Sequence, residues 1–527
     1  MSTAYLVLLI LLILYIPIWI WVWRCPEKAE KYHLMKYGPT IMIKSRLGMK
    51  TMDRLARYPR FWRVFGFISK VISVILLFLM MYMMIMALLA IPSRIGSSSI
   101  GIEYALAIPG FNPILPLSYG IVALVVAMVV HEMGHGIQTR TNGCKVDSTG
   151  LLYGVVPLGA FVEPNEEEMS KQPRRVQMDM YTAGISVNTF VAIASILLLI
   201  FSCGFVSSPH DGSVGVYAVD QDSPAYIADI PGSAIIVSIT DQDGIEIPYE
   251  YVANGTTVTI RSADPERPFD PMSKYSVVYD HKGDISDPVE LRIGTFIKTI
   301  TNNSPAQTLG INPGDMLYSI GTSDGVTHII RSPVDFTDLM NTTSPGDRVY
   351  VTTIDSVTGD VTVSGEVELG SKSGVGFLGM SVNTSGMTLT TPEILIEKAS
   401  DPFYGATDAW SHITCIFTYL SGPFNGFDPI SDEVKWWYET PMGDIFWVIV
   451  SLLYWIFWLD LLLAISNALP TYPFDGGFIF AGGINWLLEK CGISDEERRK
   501  RMSDNVANSV SSVTLFMFIL VFISFLL

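Results

Sequence analysis

The chain is expected to fold as a multi-pass α-helical membrane protein of about six spans, interrupted once by a β-rich insertion outside the membrane. Three observations predict this. Hydrophobic residues make up 49% of the 527 residues and charged residues only 16%, whereas about a quarter of a soluble protein is charged. The apolar residues gather in runs of about twenty, long enough to cross a bilayer. Between Ser207 and Ser400 the pattern changes to short alternating apolar stretches separated by Gly, Pro, Asn and Asp, which marks β-strands. That middle stretch carries 26 Asp+Glu against 10 Lys+Arg, a net of −16 in a chain whose total is −17. The remainder is near balance, so no basic face is available and nucleic acid is excluded as a partner.

Residues 1–92 hold two spans, Ala4 to Trp23 and Phe67 to Ile91, around a basic loop. The first lacks a basic start and a small-residue cleavage site, so it is expected to stay uncleaved. Residues 93–206 hold a nearly uncharged loop, Pro92 to Tyr119, and a third span, Gly120 to about Arg140. A run from Leu151 to Glu163 follows, too short to cross and broken by Gly154, Pro157 and Gly159. It suits a re-entrant hairpin or one lying on the membrane surface. A fourth span, Ala183 to Phe205, completes this part. Residues 401–442 form an interfacial segment in which Trp436-Trp437-Tyr438 suits the headgroup level. Residues 443–488 hold a fifth span, Ile445 to about Leu469, and residues 489–527 a basic loop and a last span, Val510 to Leu527.

Orientation follows from Lys and Arg near the span ends. The loops 24–63, 140–175 and 490–501 are basic and are expected in the cytoplasm; the Pro92–Tyr119 loop and the acidic insertion alternate with them and are expected outside. In a prokaryote the membrane would be the plasma membrane. Arg498-Arg499-Lys500-Arg501 is a topology signal first and a contact for anionic lipid of the bilayer second. The five cysteines show no ligand spacing, which argues against a disulfide framework or a cysteine zinc site.

The insertion contains an internal echo. Ser223-Pro224-Ala225, Pro231-Gly232 and Ile235 to Ile239 recur, 81 residues on, as Ser304-Pro305-Ala306, Pro313-Gly314-Asp315 and Met316 to Ile320. This resembles a tandem pair of PDZ domains, a degraded first copy at residues 207–292 that lacks the usual Gly-Asp and a second at 293–400, with Gly376-Phe377-Leu378-Gly379 as a carboxylate-binding loop. The resemblance implies peptide C-termini as partners.

The chemistry is concentrated where the third span ends, in Val129-Val130-His131-Glu132-Met133-Gly134-His135. Two histidines four apart lie on one helix face. An imidazole pair at that spacing can ligate one metal ion, and the glutamate between them can take a proton from a water held there. Such groups at membrane depth are costly and mark a site. The fifth span also runs inward and ends in Asn467-Ala468-Leu469-Pro470-Thr471-Tyr472-Pro473-Phe474-Asp475-Gly476-Gly477. Its prolines and glycines break the helix, so an unwound segment would bring Asp475 to the depth of the histidines as a third ligand; the alternative is a helix-ending turn with Asp475 as a cap. Asp460 competes from deeper in the same span, roughly 20 Å away along a helix rising about 1.5 Å per residue, and could instead line a water path. His33, His210, His281, His328 and His412 have no partner at ligand spacing.

Together, His131-Glu132-Met133-Gly134-His135, the Gly159-Ala160-Phe161-Val162-Glu163 hairpin, Ala183-Gly184 with Asn188, and Asn467 with Asp475-Gly476-Gly477 resemble the site-2 protease family of intramembrane zinc metalloproteases. The order of motifs and the PDZ pair look most like its archaeal and eukaryotic-type branch. The resemblance implies one catalytic Zn²⁺ held by His131, His135 and Asp475. It implies Glu132 as general base and then acid to the leaving amine, and Asn467 as a substrate or oxyanion contact. The substrates implied are transmembrane segments of membrane proteins, cut in regulated intramembrane proteolysis. A non-catalytic PDZ scaffold and a transporter are the competing classes. Intact Glu132 and Asp475 speak against the first, and the lack of a repeat of spans against the second.

Overall fold

The computed structural model describes residues 3–94, 109, 112–154, 157–254, 257–323, 325–420 and 430–524. Most of the Pro92–Tyr119 loop and the hairpin tip, Val155 and Val156, lie outside them. The chain divides into two compact units, Met1–Leu199 with Trp447–Leu527, and Ile200–Phe446.

The first unit is helical. Among the described residues five helices are long and apolar enough to cross a membrane: Pro59–Leu89, Leu117–Thr141, Ala183–Cys203, Asp444–Asn467 and Glu496–Ser524. A further helix, Thr3–Arg24, coincides with the first expected span. Two helices outrun their apolar runs. Pro59–Leu89 begins eight residues before Phe67, with Pro59 in the first turn, where its missing N–H costs nothing. Glu496–Ser524 carries the Arg498–Arg501 cluster on the same continuous helix as the last span.

The short apolar run is one half of a larger feature. Val146–Tyr153 and Pro157–Pro164 pair as an antiparallel hairpin, and two strands from the N-terminal basic loop, Leu34–Tyr37 and Thr40–Ser45, extend it to a four-stranded sheet. Ile41, Met42 and Ile43 follow one another without alternation, and the strands are too short to stand out in sequence. Lys44 donates to Glu163 at 2.7 Å across the intervening strand, and Ser148 donates at 2.5 Å. These two bonds hold the Glu163 carboxyl below the usual range. Among the described residues Pro157–Pro164 forms an edge of the sheet, with no further strand paired to it.

The second unit is built on a 14-stranded sheet with two large hydrophobic cores and a smaller cluster of Phe296, Met316 and Ile354. Val214, Ile236, Ile260, Val277 and Leu291 centre the first lobe; Ile297, Leu317, Ile320, Val351 and Leu378 centre the second. The sequence echo is a structural one. Gly379 and Gly386 both have positive φ, and a Cβ on either would lie about 2 Å from a serine Cβ, Ser304 in one lobe and Ser223 in the other. The expected boundary at residue 293 needs correcting, because Met387, Leu389 and Ile394 pack in the first core. Strand Met387–Thr390 pairs with Gly215–Val219, so the chain leaves the first lobe, builds the second and returns to close the first.

The aromatic triplet also differs from expectation. Trp437 is fully buried and Tyr438 nearly so. The indole N–H donates to the Ser233 carbonyl at 2.8 Å, and its ring fills the space over Gly215, where a Cβ would lie 2.3 Å from it. An indole whose polar atom is satisfied inside has no need of an interface. Trp437→Ala is expected to destabilise this lobe by about 3–5 kcal/mol, the usual cost of emptying a buried tryptophan site. Chemical denaturation of the full chain, followed by tryptophan fluorescence, checks this; a midpoint unchanged from wild type would count against it.

Candidate metal centre

The helix Leu117–Thr141 brings His131 and His135 to one face, one turn apart. Their Nε2 atoms are 3.3 Å from each other, and each is 3.2 Å from Oδ2 of Asp475. Among the described residues this is the group of His, Cys, Asp and Glu whose ligand atoms converge, all within 4.8 Å. A tetrahedral zinc with bonds of about 2.0–2.1 Å separates its ligand atoms by about 3.3 Å. The triangle therefore has the edges that one such ion requires, and two imidazoles with one carboxylate are a donor set zinc accepts.

The rings are prepared for the same role. His135 Nδ1–H donates to the Met180 carbonyl at 2.8 Å, which leaves the Nε2 lone pair of the neutral ring facing His131 and Asp475. His131 is buried, and among the described residues its Nδ1 has no partner. Space for an ion is kept by Gly184, the second residue of helix Ala183–Cys203. A Cβ there would lie 2.4 Å from His135 Nε2 and 2.7 Å from His131 Nε2. Gly134 lets this helix approach, since its own Cβ would lie 3.0 Å from the Ala183 carbonyl oxygen.

Asp475 arrives differently from expectation. It is the first residue of a helix, Asp475–Lys490, that begins six residues after the break at Leu469. The chain turns back so tightly that a Cβ on Gly476 would lie 2.3 Å from the carbonyl oxygens of Ala468 and Leu469. A Cβ on Gly477 would lie 2.9 Å from the backbone of Thr471 and Tyr472. The two glycines therefore let the new helix start against the end of the span. Its N-terminus also carries the positive end of the helix dipole, which favours a carboxylate there. Phe478, one turn on, stacks on Tyr181 with ring centroids 4.9 Å apart, which ties the helix to the segment that carries Met180.

Glu132 sits beside the triangle and is held from a third direction. Its Oε2 accepts the backbone N–H of Val162 at 2.8 Å, from the edge strand of the four-stranded sheet. Asn467 lies in the last turn of its helix and donates to the Leu463 carbonyl at 3.0 Å, so it is engaged within its own helix. Asp460 is fully buried, outside the converging group, and among the described residues neither carboxylate oxygen has a hydrogen-bond partner. Sequence reasoning named the three converging residues and Glu132. It missed the Met180 carbonyl and the Val162 N–H, which are backbone groups with no signal in residue type.

Comparison with known proteins identifies the family. The model of peptidase family M50 matches residues 119–521. An uncharacterized protein of Methanocaldococcus jannaschii is 33% identical over 176 residues, covering 33% of this chain and 47% of the relative. A membrane-bound transcription factor site-2 protease homolog of Arabidopsis thaliana is 27% identical over 149 residues, covering 27% of this chain and 28% of the relative. The chain thus spans less than half the length of these relatives. The family match covers well over half of the chain and both halves of the site, and the chain belongs to peptidase family M50, the site-2 protease family of membrane metallopeptidases.

Proposed function

We propose that this protein is an intramembrane zinc endopeptidase that cuts transmembrane segments of membrane protein substrates. The observation that carries the reading is the 3.2–3.3 Å triangle of His131, His135 and Asp475 at the ends of apolar helices, with a glutamate beside it. His131, His135 and Asp475 would hold the ion. When bound there, zinc supplies Lewis acidity to the scissile carbonyl and makes water at the site acidic enough to ionise near neutral pH. Glu132 takes that proton on its carboxylate, which the Val162 N–H keeps oriented, and returns it to the leaving amine. Asn467 turns its amide to the substrate once substrate competes for the bond it makes in its own helix.

A helical substrate shields its peptide bonds and must open locally. The free edge of strand Pro157–Pro164 can receive the opened segment by strand addition, which would set it beside Glu132. The basic loops support a centre on the cytoplasmic side, and the acidic insertion supports an extracytoplasmic place for the two PDZ-like lobes. Those lobes would admit or exclude substrates by size or through their C-termini.

Protein purified in detergent is expected to hold one zinc per chain and to cleave a model transmembrane substrate. Chelation should stop cleavage and added zinc restore it, and His135→Ala should hold less than about a tenth of the wild-type zinc, as loss of one of three protein ligands implies. Wild-type protein that binds no metal would instead favour a scaffold.

A further inference from the structure

The centre is reached by a charged pair that lies apart from its ligands. Lys70 sits within the long span Pro59–Leu89, and its Nζ is 2.5 Å from Oδ1 of Asp179 on the short helix Arg174–Tyr181. Asp179 is buried, and the lysine is largely so. Asp179 is followed directly by Met180, whose carbonyl accepts from His135 Nδ1. We propose that Lys70 and Asp179 are positioning residues of the metal centre: their ion pair sets the Met180 carbonyl, and that carbonyl sets the His135 ring.

Four observations support this. Among the described residues the Met180 carbonyl is the partner of the His135 ring opposite the site, while His131 Nδ1 has none, so the orientation of the ring pair depends on one backbone group. That group lies in the last turn of an eight-residue helix, beside the Thr182 N–H that caps the helix end. A helix that short is not stable alone, so where this one lies depends on its junction through Thr182 with the helix Ala183–Cys203 and on tertiary contacts. The histidine helix and Phe478 supply some of these contacts, and the polar ones come from one face of the Pro59–Leu89 helix. Gly66 makes room for Asp179, since a Cβ there would lie 2.5 Å from Oδ1, and Lys70 also reaches the Arg175 carbonyl at 3.5 Å. Ser73 donates to the Thr182 carbonyl at 3.4 Å, and Ser186 donates to the Ser69 carbonyl at 3.2 Å. Gln138, on the histidine helix, donates to the Trp62 carbonyl at 2.9 Å, so the same face also ties down the helix that carries the other ends of the rings.

A lysine in an apolar span is costly, and apolar side chains of similar volume would pack this seam at least as well. What the pair adds is a single register between the span and the short helix. The span lies before residue 119, outside the family match, so this support is built by a part of the chain that the match does not cover.

The proposal rests on the metal-centre reading, and the experiment separates the two. Zinc affinity of the purified full chain is measured by competition with a chelator, and the visible absorption of the cobalt-substituted protein reports ligand geometry; neither needs substrate. Wild type must bind zinc, or the metal-centre reading itself fails. Asp179→Asn keeps the shape of the side chain and Lys70→Met keeps its length. Each is expected to weaken zinc about 10–100-fold, the usual loss when an outer partner of a metal ligand is removed, and to shift the cobalt spectrum. Lys70→Arg should restore both. If Lys70→Met does not fold, Asp179→Asn and Lys70→Arg carry the test. Folded Asp179→Asn with wild-type zinc affinity and cobalt spectrum overturns the proposal. So does a drop in metal-free thermal stability with both readouts unchanged, because that marks the pair as a packing contact only.

Discussion

Glu132→Gln is expected to leave one zinc bound per chain and to slow cleavage of a transmembrane substrate by about 10²–10⁴-fold, the range supplied by a positioned general base. Glutamine keeps the carbonyl-type oxygen that accepts the Val162 N–H at 2.8 Å, so the side chain and the edge strand stay in place. The three converging ligand atoms belong to other residues, so metal content should not change. What is lost is a group able to take a proton and give it back. Zinc content by mass spectrometry and cleavage rate on one preparation check both halves. Full activity in a zinc-loaded Glu132→Gln protein would sink the proposed mechanism, and loss of zinc would mean that Glu132 acts on the ligands instead.

Gly184→Ala should have an effect as large through a different cause. The added methyl would lie 2.4 Å from His135 Nε2 and 2.7 Å from His131 Nε2, in the space an ion needs. Neither ring can simply swing aside. His135 is tied back to Met180, and His131 is buried. Zinc affinity is expected to fall by at least about 100-fold, beyond the loss usual for an outer-sphere change, and cleavage with it. Because the methyl meets both rings even when no ion is present, the packing around the helix start must shift, at a cost of about 1–3 kcal/mol, as overpacking usually brings. The variant is thus expected to lose a little metal-free thermal stability and to lose zinc affinity by far more than that change explains. Zinc titration of variant protein shown to be folded by circular dichroism is the check: a folded variant that binds zinc as wild type does would show that Gly184 does not guard the site.

The local features were legible because their physics is local. Apolar runs of span length, the four-residue spacing of the histidines and the shift to strand periodicity after Ser207 are properties of neighbouring residues. Each corresponds to an element of the structure: the helix Leu117–Thr141 carries both histidines, and the region after Ser207 is a large sheet. The Asp-Gly-Gly stretch could be singled out because prolines and glycines break a span. That it starts a new helix rather than an open segment depends on a turn so close that only glycine clears the carbonyls of Ala468 and Leu469.

The sequence by itself determined which residues were chemically able to form a centre, since imidazole and carboxylate groups at the ends of apolar helices have little other reason to be there. Only the tertiary structure decided that three of them come within 3.2–3.3 Å of one another while Asp460 stays apart. It also decided that the backbone of Met180 and Val162 fixes the rings and the glutamate, and that strands from the N-terminal loop complete the sheet beside them. It moved Trp437 from an expected interface into a core, and it closed the first lobe with residues 387–394. The reason is the same in each case. Periodicity and composition describe what a residue prefers within a few positions of itself, whereas a hydrogen bond to a backbone carbonyl, or the clearance left by a missing Cβ, is set by segments that meet only when the chain has folded.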